Sequence, residues 1–455
     1  MNRTTSDTLL GNGLRVLAVR APGAPLAEVR LVLPYARTAP DRLAGARELL
    51  AACLGTGTTA SASGASGGTR QDIADRAADL GAELSTVVTA ESLVIATSVL
   101  RPGLPGALAL LSDLLLRPAY REEELALALR RAGAAPRTPG PRSRLHRALL
   151  GHAFGEHPLL SPPPVPRAST DDLYALHARA VVPAGAVLLV MSADEPDAVC
   201  ALVRERLEGW SGGPSGLVAP PFARSTPRPG RLAASAVPAG SDDPGQALVL
   251  CAGPAVAADD PAHVPLHLAH TVLGAAASSR LVRRIRDRHG LAYAVSAEPR
   301  GNRAGDWLEI EAAGAPGTAD RIAGEIVGVL RELADRGPSP EEVERARAHA
   351  IGFTRFALAT RTEEASALAG FAAAGLPLDW LATHRERLAE VTPDQVAKAA
   401  ARHLDPDLFL VATLDTGANT DTGAAAAAAA DSDESPAEAP DEIPSPAQES
   451  DRWTP

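Results

Sequence analysis

Few side chains in this 455-residue sequence have types and spacings that could do chemistry. His263 and His267 stand four residues apart, with His270 three further on. On a helix such a pair leaves from one face, which is ligand spacing for a transition metal. Pro265 lies between the first two and the sequence positions no acidic partner, so the plain reading is a helix entry without metal. Glu48 is a single carboxylate in a Leu/Ala-rich helical stretch and reads as a solvated or cleft-lining residue. Arg286 and Tyr293, seven positions apart, are by themselves a helix-face arginine and a strand tyrosine. The Gly/Ser-rich segment 60–68 lacks the Gly-Lys-Ser/Thr ending that sets a lysine on a phosphate, and reads as a flexible insertion. Cys53, Cys200 and Cys251 lie far apart with no C-x-x-C spacing, which argues against a zinc knuckle or disulfide framework and for a reducing compartment.

The elements that would position these residues come twice. Ser169-Thr170-Asp171-Asp172 opens a helical pattern, Pro183 stops it, and 186–190 follows as a strand. Thr392-Pro393-Asp394-Gln395 opens another, and after Pro406 the run 408–411 follows as a strand. Both openings set a Ser or Thr three residues before an Asp or Gln that can bond back to open backbone N–H groups. Alternating apolar strands begin each half, at 14–17 and 29–32 in one and at 247–250 in the other. Gly81-Ala82-Glu83-Leu84 and Gly290-Leu291-Ala292-Tyr293 occupy equivalent places, each after a helical stretch and each leading into a strand. Strands, helices, strands and helices in that order predict an α+β fold of two homologous lobes. Each lobe is expected to be a mostly antiparallel or mixed sheet with helices packed on one face.

Length and composition agree with two cores: 45% hydrophobic and 22% charged residues are ordinary globular values, and the chain exceeds one usual domain. A Pro/Gly-rich stretch at 213–230 divides lobes at 1–212 and 231–415. The remainder, 416–455, carries nine acidic residues against Arg452 and reads as a disordered tail. It supplies most of the formal charge of -11, so a basic nucleic-acid face is not expected. The first residues lack an apolar h-region and no stretch approaches the ~20 apolar residues of a membrane span, so the chain reads as cytoplasmic.

The run Leu43-Ala44-Gly45-Ala46-Arg47-Glu48-Leu49-Leu50-Ala51-Ala52-Cys53-Leu54-Gly55-Thr56-Gly57-Thr58 resembles the active-site helix of the pitrilysin/insulinase-type metallopeptidases. That group carries an inverted zinc motif, H-x-x-E-H, before a similar Leu-x-x-Gly-Thr ending. Laid on this sequence, the two His positions fall on Glu48 and Ala52 and the general-base Glu on Ala51. The group's further glutamate ligand would fall around 133–135, where there is no carboxylate. Methyl groups neither hold zinc nor activate water. The resemblance extends over about residues 8–414 and is most specific in Ser278-Ser279-Arg280-Leu281-Val282-Arg283-Arg284-Ile285-Arg286-Asp287-Arg288-His289-Gly290-Leu291-Ala292-Tyr293.

In the family an Arg and a Tyr of this run reach toward substrate at the zinc of an opposite lobe, and the matching residues here, Arg286 and Tyr293, are both present. The resemblance therefore implies a non-catalytic, substrate-binding subunit of a heterodimeric zinc endopeptidase. Zinc would sit in a homologous partner carrying H-x-x-E-H, with no cofactor in this chain, a peptide as substrate, and neither nucleic acid nor membrane as partner. One alternative is a structural scaffold resembling the family's respiratory-complex core subunits. Another is an autonomous peptidase built on the His263 cluster.

Overall fold

Apolar runs of period two, and fully apolar runs where both faces are covered, become the strands of two sheets. The protein is described from a computed structural model at residues 4–23, 25–38, 43–60, 67–134, 139–160, 165–232 and 245–416. Residues 61–66 of the expected insertion, and 417–455 of the expected tail, lie outside the described residues, and Thr416 closes a strand.

The first sheet contains β1 (Thr5–Leu9), β2 (Arg15–Arg20), β3 (Leu26–Pro34), β4 (Glu83–Val88), β5 (Ser92–Leu100) and β6 (Val187–Ser192), in the order β1-β2-β6-β3-β5-β4. The second contains β7 (Gly230–Leu232), β8 (Gln246–Pro254), β9 (Ala292–Asn302), β10 (Gly305–Gly314) and β11 (Leu410–Thr416), in the order β7-β11-β8-β10-β9. One pair in each is parallel, β2 with β6 and β7 with β11, and the other pairs are antiparallel. Without β1, the two orders match position for position. The expected α+β duplication with mixed sheets is what the chain adopts. Residues 406–408 form a 3-10 turn, and the last strand begins at Leu410 rather than at 408.

The helices repeat too. In the first half they are α1 (Arg47–Cys53), α2 (Arg70–Asp79), α3 (Leu104–Leu116), α4 (Glu122–Ala134), α5 (Pro141–Phe154), α6 (Thr170–Ala180) and α7 (Pro196–Leu207). In the second they are α8 (His263–His270), α9 (Ala319–Arg336), α10 (Pro340–Ala357), α11 (Arg361–Ala373), α12 (Trp380–Glu390) and α13 (Pro393–His403). The two helix starts read from the sequence carry reciprocal capping boxes, Ser169 with Asp172 and Thr392 with Gln395. Gly81 and Gly290 stop the helical segments before β4 and β9 with nearly the same left-handed φ, 60° and 58°, which a side chain at either position would strain.

Each sheet packs its own helices on one face. Val16, Val29, Leu31, Leu188 and Val190 meet α1, α3, α6 and α7, while Val249, Cys251, Leu308 and Ile310 meet α8, α9 and α13. The alternate residues are covered as well, each time by a helix of the other half. Leu17, Val32, Val187, Leu189 and Met191 of the first sheet pack on Ala365, Ala369 and Ala372 of α11. Leu248, Leu250, Ala252, Leu410 and Ala412 of the second pack on Leu145, Leu149 and Ala153 of α5. The small side chains of α11 let its backbone lie close to the sheet.

Buried charge fixes both crossings. Glu28 on β3 is 1% exposed and binds Arg30 Nη2 at 2.8 Å, and Thr362 of α11 donates to it at 3.0 Å. Arg30 Nε donates to Ser366 Oγ of the same helix at 3.1 Å. At the other crossing, His146 Nε2 of α5 lies 2.8 Å from buried Glu309, and Arg142 pairs with Glu311. The 213–230 stretch is bonded along its length. Gly216 N donates to Arg179 O at 3.1 Å, Phe222 N to Ala304 O at 2.7 Å, and Arg228 N to Ala153 O at 2.9 Å.

Helix α12, which has no counterpart among the described residues of the first half, is held by stacked rings. Trp380 lies on His384 with centroids 4.7 Å apart, His384 on His267 at 5.2 Å, and His263 meets His384 edge-on at 5.4 Å. His267 Nδ1 and His384 Nε2 are 3.1 Å apart, a distance that suits a hydrogen bond between two neutral rings of the same tautomer. Burial lowers the pKa of His263, and burial together with the neighbouring rings takes His267 to about 4 and His384 to about 3. Asp259 and Asp260 face His263, His349 of α10 faces His267, and Arg387 faces His384.

Three outcomes follow from this packing. A protease site inserted between exposed Gly213 and Pro214, once cut, should leave two fragments that co-elute on size exclusion and unfold in one transition; separate elution would show that the crossings do not hold. Arg30→Met should cost about 3–5 kcal/mol of unfolding free energy in urea titration, because Glu28 loses its buried counter-charge. The histidine cluster is neutral when folded, so its contribution is complete above the unfolded pKa near ~6.5 and is lost as pH falls from there toward about 4, at roughly 1.4 kcal/mol per pH unit per ring. Comparing urea midpoints between neutral and mildly acid pH for the natural chain and His267→Gln tests this, the variant having the shallower slope.

Candidate functional site

The first candidate surface is α1, on which the resemblance placed Glu48, Ala51 and Ala52. Ala51 is buried, Ala52 is exposed, and Glu48 is partly exposed with Arg47 Nη1 at 3.0 Å. Arg47 holds this region together. Its Nε donates to Tyr35 O at 2.7 Å, its Nη2 to Thr89 O at 2.6 Å, and its guanidinium lies 5.0 Å from the centre of the Tyr35 ring. Tyr35 Oη donates in return to Arg47 O at 2.7 Å. Burial pushes the Tyr35 phenol well above its ordinary range. Arg37 and Arg147 add further positive charge, and burial lowers the Arg37 pKa while nearby Glu48 raises it. Arg47, bonded to backbone carbonyls and to Glu48, thus pairs with the single acid of this helix, near Arg37.

Helix α4 packs against α1 through buried Leu125 and Ala128. Gly133 and Ala134 end that helix and offer no carboxylate, and Ala135 is outside the described residues. The carboxylate that does approach α1 is Glu124, in the charged first turn of α4, which the sequence presents as an ordinary helix start. It is ion-paired with Arg70, which holds its carboxyl below the usual range. The thiol of Cys53 is pushed up to about 11 by burial and by Glu124, so it is a neutral core group rather than a thiolate ligand. Among the described residues, no group of three or more His, Cys, Asp or Glu side chains is arranged to hold a metal ion, the His263 cluster included.

The second candidate surface is the connection that carries Arg286 and Tyr293. Here the backbone widens into two π-helical turns, Thr271–Ala275 and Val282–Arg288. Such turns recur at functional sites because they re-aim side chains. Gly274 lets the first turn rest on β9, since a Cβ there would come within 2.6 Å of Ala297 N. Gly290 N donates to Arg286 O at 3.1 Å and Leu291 N to Ile285 O at 2.9 Å, which ties the second turn to the start of β9.

Strand β9 pairs with β10 as Ala292 with Gly314 and then Ala294 with Ala313. Tyr293 is thus the extra residue of a β-bulge on an edge strand, a device that redirects one side chain out of the ladder. Its side chain is 92% exposed. Arg286 is 46% exposed and its Nε donates to the adjacent Asp287 at 2.9 Å. Nothing in the core accounts for either residue. Sequence reasoning located both through the surrounding signature; the π-turn and the bulge carried no separate signal.

Comparison with known proteins follows this geometry. Residues 167–349 match the peptidase M16 inactive domain. The chain is 28% identical over 349 residues to an uncharacterized zinc protease of Mycobacterium leprae, spanning 75% of this chain and 76% of that protein. Its fold superposes on a peptidase M16 inactive domain from Pseudomonas fluorescens with a TM-score of 0.76 at 20% identity, over 90% of this chain and 97% of the other. A protease from Helicobacter pylori gives 0.74 at 14% identity, over 91% and 100%. No helix among the described residues is long and apolar enough to cross a membrane. The matched segment 167–349 includes the π-turns, Arg286 and Tyr293.

Proposed function

We propose that this chain is the non-catalytic, peptide-gripping subunit of a two-subunit zinc peptidase, paired with a homologue that bears H-x-x-E-H. The observation that carries the reading is Tyr293, which a β-bulge turns out of the sheet into solvent, with half-exposed Arg286 on the π-turn that leads into the same strand. The complementary observation is the α1 face, where Glu48, Ala51 and Ala52 stand at the ligand and base positions of the resembling motif. The zinc of the partner would supply the activated water. The part of this chain is to hold the peptide and direct guanidinium and phenol N–H and O–H donors at the carbonyl oxygen on which negative charge develops.

A scaffold role without proteolysis draws some support from the crossed helices, which make a stiff body. It leaves the exposed Tyr293 without a reason. The two readings separate in one experiment with the purified pair. Arg286→Ala and Tyr293→Phe should each lower kcat for peptide cleavage by about 100-fold, the usual loss when one oxyanion donor is removed, with assembly of the pair unchanged on size exclusion. Cleavage at full rate by both variants would favour the scaffold.

A further inference from the structure

At one end of the first sheet, β5 runs into Arg101 and α3, and β6 runs through Asp194 into α7. Strand β3 begins at the same end with Leu26, and about 27 Å of strand separates it from Tyr35, which is bonded to Arg47 of α1. A cleft of about 430 Å³ opens here between the N-terminal ends of α3 and α7, a size that suits a small ligand. Buried Leu104 and Val199 and partly buried Leu202 line its interior, and exposed Ala198 stands at its side.

The mouth of the cleft carries one ion pair. Arg101 Nε donates to Asp194 Oδ1 at 2.7 Å, and Nη2 lies 2.7 Å from the same oxygen. Asp194 is fixed from its other side, where Ser192 Oγ donates to Oδ2 at 3.2 Å and Asp194 N donates to Ser192 Oγ at 3.1 Å. Both carboxylate oxygens are therefore engaged, and an incoming ammonium would have to displace one of these donors. The guanidinium is the open partner. It is about half exposed, Nη1 lies outside the pair, and its five N–H donors exceed what one oxygen can accept. A pair this exposed is weak, so a second carboxylate can join Asp194 or replace it. Arg101 N donates to Pro25 O at 2.6 Å, which anchors the backbone that presents the side chain.

We propose that this cleft binds the C-terminal residue of a peptide, an apolar residue whose free carboxylate rests on Arg101. Its side chain enters between Leu104, Val199 and Leu202. From Ala198 to Leu202 is one helical turn, ~6 Å, which takes one residue rather than a long acyl tail. The residues before it pass over Leu100 and Leu26, which are opposite in register and both exposed. Capture of a terminal carboxylate by fixed donors is a recurring mode of peptide recognition. The site does not rest on the proposed function and would serve a scaffold equally.

Fluorescence anisotropy with the isolated full-length chain tests it, using a labelled tetrapeptide that ends in leucine, the same peptide as its C-terminal amide, and octanoate as competitor. The free acid should bind at least about tenfold more tightly than the amide, which forfeits the charge-assisted contact. Arg101→Gln should weaken the acid about tenfold and leave the amide unchanged. Ala198→Trp, which fills the cleft from an exposed position, should weaken both peptides while the thermal unfolding midpoint stays the same. Absence of binding, or binding of the acid that is indifferent to both substitutions, overturns the site. Binding of octanoate without binding of the peptide overturns the peptide assignment. Arg286→Ala in the same assay separates the two readings: peptide binding lost there and kept in Ala198→Trp sustains the proposed function and overturns this site, whereas the reverse pattern sustains this site.

Discussion

Each sheet of this chain is closed by a helix that belongs to the other half, and most of the architecture depends on that exchange. A mixed sheet buried on both faces needs two layers of cover, and neither half supplies both for itself. Helix α11 brings alanines to the first sheet and α5 brings leucines to the second. Each crossing is fixed by a carboxylate that water cannot reach, Glu28 in one and Glu309 in the other. A buried acid is costly unless its partners stay in place, so these groups specify where the crossing helices sit as much as they stabilise them. The halves are homologous in sequence order yet inseparable in packing.

That stiffness bears on the site. The β4–β5 turn accepts from the other lobe, where Arg303 N donates to Glu91 at 2.9 Å, and Arg303 Nη2 donates to Ala373 O at the end of α11 at 2.6 Å. Arg47 bonds the same turn from α1. The α1 face and the sheet that carries Tyr293 are thus parts of one frame. In α1 the arginine next to Glu48 is absorbed into structural bonds, while Arg283, Arg286 and Arg288 of the second π-turn are exposed.

The fold was largely legible in the sequence because its signals are local. Capping boxes at Ser169 and Thr392 and helix-stopping glycines at 81 and 290 act over a few residues, and their repetition in the two halves marks the duplication. The resemblance set an expected motif on α1 and an expected pair at Arg286 and Tyr293, since the flanking residues give its register. The approach of Glu124 to α1 was not legible, because it arises from helix packing across some seventy residues of chain.

By itself, then, the sequence determined which segments become strands and helices, and that they come in two like sets. Tertiary structure alone decided that α5 and α11 trade places, that His263 and His267 of α8 meet His384 of α12 as a buried neutral cluster, and that Tyr293 leaves its ladder at a bulge. The physical reason is range. Propensity and capping are read from neighbours along the chain, whereas burial, ring stacking and strand register depend on which distant surfaces meet.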